Sequence, residues 1–144
     1  MCKKILVPLD GSTLAEAALP HAMALAKSEN AEVVILRVPI VPAREFFGHN
    51  DAMRAAINKK IDDESDQYVR EKVRRLKMGI VKVIGVVREG PVPETITKVA
   101  DEVGADLIAM STHGCTGIRR WLKGSVAEEV VHLTHIPVML IHPN

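Results

Sequence analysis

Aromatic side chains are scarce in this chain of 144 residues, which has one Trp, one Tyr and two Phe. The core must therefore be filled by Val, Ile, Leu, Ala and Met, drawn from the 47% of residues that are apolar. Only two cysteines occur, Cys2 and Cys115, which excludes a disulfide framework and the ligand spacing of a zinc site. The formal charge of +1 excludes strong global attraction to nucleic acid or to an anionic membrane. No apolar run reaches the ~20 residues needed to cross a bilayer. The opening stretch MCKKILVPLDGS lacks the long apolar region of a secretory signal. These absences lead us to expect a reduced, cytoplasmic protein, one domain over residues 1–144, that binds neither nucleic acid nor membrane.

What is present is a strict alternation of two periods. Short β-branched runs at Ile5–Leu9, Glu32–Val38, Ile80–Arg88, Asp106–Met110 and Ile136–Ile141 read as strands. Between them lie helical patterns. The first opens at Thr13, which with Glu16 predicts a capping box, and Pro20 predicts a kink on its solvent side. The second runs from Asp51 to Met78 with a stripe of Met53, Ile57, Ile61, Tyr68, Val69, Val73 and Leu76, and Gly79 stops it. The third starts near Pro93, buries Ile96, Val99, Ala100 and Val103, and ends at Gly104. The fourth spans Val126 to about Thr134. Residues Pro39 to Asn50 have no period and read as a loop. Alternating strands and crossover helices predict an α/β fold with a parallel sheet and helices on both faces.

In such sheets ligands lie beyond the carboxyl ends of the strands. Pro8–Ser12, Val38–Pro39 and Ser111–Ser125 occupy those ends. The last segment, STHGCTGIRRWLKGS, is the unusual one. Gly114 and Gly117 permit close approach of a ligand to the backbone. Ser125, with Glu128 three residues on, is a helix N-cap, and the unpaired N–H groups behind it form an anion site. Thr112 and Thr116 add hydroxyl donors, and Arg119, Arg120 and Lys123 make the loop cationic. His113 either meets a phosphate or braces the loop. A Gly-Ser pair before a helix also serves as a plain cap, so the residues alone leave both readings open. The order Lys123-Gly124-Ser125 is not a Walker A motif, and no G-x-G-x-x-G follows the first strand. Asp10 is the one carboxylate at a strand end that faces the expected phosphates, where it can hold a divalent cation. His132 and His135, three apart, lack a third ligand, and Cys115 lacks a catalytic partner set.

Taken together, KKILVPLDGS, VVILRV, ADLIAMSTHG, KGSVAEEV and IPVMLI resemble the universal stress protein family over the full length. The nucleotide-binding branch of that family carries G-x2-G-x9-G-[S/T]. Gly114 and Gly124-Ser125 match its later part, while Ser111 stands at its first glycine. The resemblance implies a five-stranded parallel sheet in the order 3-2-1-4-5. It implies ATP, or ADP or AMP, with Mg or Mn. It places Pro8 and Asp10 near ribose, phosphate and metal, and Val38 at the adenine edge. It wraps Ser111, Thr112, His113, Gly114, Cys115, Thr116 and Gly117 around ribose and phosphates, and sets Ser125, Val126 and Ala127 at the terminal phosphates. It further implies a homodimer through Ile136–Ile141, whose apolar edge is otherwise a pairing liability. The expected function is a nucleotide-binding stress-response or regulatory protein. No dedicated base is evident, so any ATP hydrolysis is expected to be slow. The competing readings are a nucleotide-free dimerisation module, favoured by Ser111, and a slow ATPase or ATP-dependent transferase.

Overall fold

The computed structural model describes residues 2–112 and 125–143. Five strands, β1 (Lys4–Leu9), β2 (Glu32–Arg37), β3 (Val83–Val87), β4 (Leu107–Ser111) and β5 (Val138–Ile141), form one sheet. All pairings are parallel and the order is β3-β2-β1-β4-β5, as the family resemblance implies. The described helices are α1 (Thr13–Glu16), α2 (Ala18–Glu29), α3 (Asp51–Leu76), α4 (Val92–Val103) and α5 (Val126–Leu133).

The pleat sorts the strand residues between two cores. Ile5, Val7, Leu9, Val33, Ile35 and Ala109 pack with Ala18, Ala22 and Ala26 of α2 and with Tyr68, Val73 and Leu76 of α3. Leu6, Val34, Leu36, Val38, Ile108 and Met110 face Ile96, Val99 and Ala100 of α4 and Ala127 and Val130 of α5. β1, β2 and β4 thus bury both faces, which is why they read as continuous apolar runs. Small alanines let α2 lie close to the sheet, while Gly85 does the same for α3 against β3. A Cβ at Gly85 would overlap Val69 Cγ1 and come within 3.0 Å of Val73 Cγ2.

Several local expectations change. The N-cap of α1 is Ser12, not Thr13, because the Ser12 hydroxyl accepts from the Ala15 amide at 3.1 Å. Glu16 forms no capping box. Its carboxylate instead accepts from Tyr68 Oη and Lys72 Nζ on α3, each at 2.6 Å. The kink expected at Pro20 is a break at Ala17 between α1 and α2. Proline has no N–H to give the carbonyl four residues earlier, so the ladder fails there. Residues Arg44–Phe47 of the expected loop form a 3-10 helix that buries Phe47. β3 and β5 are shorter than their apolar runs, and Ile80 is exposed. His135 lies beyond the end of α5, so it shares no helix face with His132.

The Glu16 tie joins α1 to α3 across 52 and 56 residues of chain. Burial pushes the Glu16 carboxyl up, but hydrogen bonds from Lys72 and Tyr68 outweigh it and hold the group below its ordinary value. A carboxyl lowered on folding stabilises the fold fully above its unfolded pKa, about 4.3. That contribution disappears as pH falls through the lower folded value. Tyr68→Phe removes one charge-assisted bond and is expected to cost about 1–2 kcal/mol in urea titration at neutral pH. The deficit should shrink in acid, as Glu16 protonates; a deficit independent of pH would refute the assignment.

Candidate functional site

The strand order reverses between β1 and β4, and a cavity of about 180 Å³ opens there, beyond their carboxyl ends. Register explains what reaches it. Pro8 and Asp10 alternate with Val7 and Leu9, so they take the same side of the sheet as Leu6, towards α4 and α5. Val38 continues the Leu36 side of β2 into the same space. Met110 and Ser111 end β4, and α5 enters with its first turn.

The cavity wall has two chemistries. Val38, Ile40, Val92, Ile96 and Met110 are apolar, while Asp10, Ser12, Ser111, Thr112 and Ser125 are polar. Ser125 caps α5, its hydroxyl accepting from the Glu128 amide at 3.1 Å, as the sequence motif predicts. The first turn of α5 carries the partial positive charge of a helix start. Thr112 is buried and already committed. Its amide donates to the Ile141 carbonyl at 2.9 Å, and its hydroxyl lies 3.4 Å from that carbonyl and 3.2 Å from His142 Nδ1. The Ser111 hydroxyl donates to the Ala15 carbonyl at 3.3 Å, which ties the end of β4 to α1.

The structure therefore gathers Pro8, Asp10, Val38, Ser111, Thr112, Ser125, Val126 and Ala127 around one cavity. His113, Gly114, Cys115, Thr116, Gly117 and Gly124 lie outside the described residues. Sequence reasoning placed Ser12 within the Pro8–Ser12 strand end but missed Leu14, Ala15, Ile40, Val92, Ile96 and Met110 as cavity lining. Ser12 had a local signal in the Asp-Gly-Ser turn. Ile96 and Met110 had only their apolar periodicity, which says buried without saying against what.

Asp10 closes a tight turn. Its Oδ1 accepts from the Ser12 amide at 2.9 Å and the Ser12 hydroxyl at 2.5 Å. Gly11 between them has φ of +90°, a conformation that side chains disfavour. Burial raises the Asp10 carboxyl, but these two bonds and the charge of Arg37 outweigh it and leave the pKa below its ordinary value. Without a nucleotide's phosphates, this donor set does not make a Mg or Mn site of its own. One Asp10 oxygen is spent on Ser12 and a guanidinium charge already acts on the group. No group of three or more His, Cys, Asp or Glu side chains able to hold a metal occurs among the described residues.

A doubly wound parallel sheet with a mainly apolar crevice edged by polar side chains at its switch point defines the class: an α/β protein whose crevice stands where such folds take their ligands. The chain belongs to the universal stress protein family, whose model matches residues 1–142. Universal stress protein MJ0531 of Methanocaldococcus jannaschii is 34% identical over 140 residues, covering 96% of this chain and 81% of that protein. The solved structure of MJ0577, from the same organism, matches with a TM-score of 0.82 at 31% identity, covering 100% of this chain and 98% of that one. A universal stress protein solved in complex with cAMP matches with a TM-score of 0.66 at 25% identity, covering 98% of this chain and 97% of that one. No described helix is long and apolar enough to cross a membrane.

Proposed function

We propose that this chain is a single-domain adenine-nucleotide-binding protein of the regulatory, stress-response kind, acting in the cytoplasm. The observation that carries the reading is the divided wall of the switch-point cavity. Its apolar part, Val38, Ile96 and Met110, suits a purine. Its hydroxyl part ends at the capped start of α5, which suits phosphate. The 180 Å³ cavity falls below the roughly 300–1,000 Å³ of pockets that enclose a whole ligand. The base and sugar would fill it, and the phosphates of ATP, ADP or AMP would run out towards Ser125 and the segment that follows Thr112. The cAMP complex of a relative supports a nucleotide of this class.

Binding, not turnover, is the activity the described residues support. Among the described residues Asp10 is the only acid lining the cavity, and its engaged oxygen and lowered pKa make it a poor base for water. Occupancy would then be read by partners or by a second copy of the chain. Among the described residues β5 is a sheet edge paired only with β4, and its Val138–Ile141 run suits a homodimer.

Mass spectrometry of the denatured, freshly purified protein should release ATP, ADP or AMP, and equilibrium dialysis should give saturable binding. No binding at millimolar ATP would overturn the proposal. Ser125→Ala is expected to weaken nucleotide binding by about tenfold. Loss of the cap should lower stability by about 1 kcal/mol. Unchanged affinity would remove the α5 start from the site.

A further inference from the structure

The side of the sheet away from the cavity holds the Arg37 guanidinium. Arg37 is the last residue of β2 and pairs in register with Leu9 of β1. By the pleat it points to the α3 side, opposite to Val38. Its guanidinium stacks over the Tyr68 ring, 5.4 Å from the centroid. It also presses against the back of the Asp10 turn: a Cβ at Gly11 would stand 2.8 Å from Nη1 and 3.5 Å from Cζ and Nη2. Nε and Nη1 are sealed from solvent and have no hydrogen-bond acceptor among the described residues. Glu16, the carboxylate that serves the neighbouring Tyr68, is occupied by Tyr68 and Lys72.

A guanidinium with unspent, buried donors is costly unless a field compensates it. Tyr68 supplies one part through its π face. The Asp10 carboxylate, on which the Arg37 charge acts beside the Gly11 turn, supplies the other. The compensation runs both ways. A bare carboxylate at the mouth of a phosphate site repels the phosphates, and many sites relieve this with a divalent cation. Here a fixed cation stands behind the turn. It occupies no phosphate-facing position, and Gly11 has no side chain to hold it away.

Granting that the cavity binds an adenine nucleotide, we propose that Arg37 is a positioning residue that neutralises Asp10 from behind the Asp10–Gly11–Ser12 turn, so that the nucleotide binds without a divalent cation at Asp10. The requirement for a metal is thereby replaced by a residue on the opposite face of the sheet.

The test is the affinity for ATP and for AMP, measured by equilibrium dialysis with excess magnesium and again with EDTA. The wild-type protein should bind each nucleotide equally in the two buffers, to within about twofold. Arg37→Met keeps the stem over Tyr68 and removes the charge. It should bind about tenfold more weakly in EDTA and recover in magnesium. Arg37→Lys, which keeps the charge, should stay metal-independent, a rescue that a purely structural role for Arg37 does not predict. Wild-type binding that needs magnesium overturns the inference and leaves the nucleotide reading intact. So does Arg37→Met binding in EDTA as well as the wild type does. If Arg37→Met does not fold, as judged by circular dichroism, the wild-type and Arg37→Lys measurements decide. Failure of the wild type to bind either nucleotide in either buffer overturns the nucleotide reading itself.

Discussion

Ile96→Ala should lower the stability of the nucleotide-free protein by about 2–5 kcal/mol, and weaken nucleotide binding besides. Ile96 is 1% exposed and lies on α4, where it belongs to the same core as Leu6, Val34, Leu36 and Ile108. The loss comprises the transfer of the removed carbons and the void they leave, which a parallel sheet closed by helices on both faces cannot collapse to fill. Against a typical total of about 5–15 kcal/mol, such a variant folds but melts early. Ile96 also lines the switch-point cavity, so the void opens into the space assigned to the purine. Affinity should fall by about tenfold from lost apolar contact. Urea titration should show a lower midpoint with the slope unchanged. A stability loss without any change in affinity would separate Ile96 from the ligand and place the base elsewhere.

The second large effect belongs to Gly85→Ala, expected to cost about 1–3 kcal/mol through overpacking. Nothing about its backbone demands glycine, since it sits in ordinary strand conformation within β3. The demand comes from α3, whose Val69 and Val73 occupy the space that a Cβ would take. Shortening the opposing side chain should relieve the conflict. In a double-mutant cycle, Gly85→Ala is expected to cost less in a Val69→Ala background than in the wild type. Strict additivity would show that the close approach is not the cause. The pair also measures how firmly α3 is seated, which matters because α3 carries the Tyr68 ring on which Arg37 rests.

Some of the site was legible because its signals are local. The Ser125 cap with Glu128 is a spacing of three residues, and the hydrogen bond it predicts is present at 3.1 Å. Pro8, Asp10 and Val38 end apolar runs, and a parallel sheet must bring such ends together at one edge. Other features were misread for the same reason. Thr13 and Glu16 satisfy the letter of a capping box, yet Glu16 gains more from Tyr68 and Lys72, two donors on a distant helix, than from one local amide. Ser12 was free to cap α1 because Asp10 orients both its amide and its hydroxyl.

The sequence by itself determined the alternation of strands and helices, the two-faced burial of β1, β2 and β4, and the residues that cap α5. Periodicity and capping act within a few residues, so they are written in the chain in order. The tertiary structure alone decided that Ile96 and Met110 border a cavity as well as a core. It alone set Gly85 beneath Val69, and it alone put Arg37 behind Gly11, against Tyr68 and within the field of Asp10. Each of those facts is a contact between segments far apart in the chain. Such contacts are fixed by strand register and by which face of the sheet a residue takes, and no local pattern encodes either.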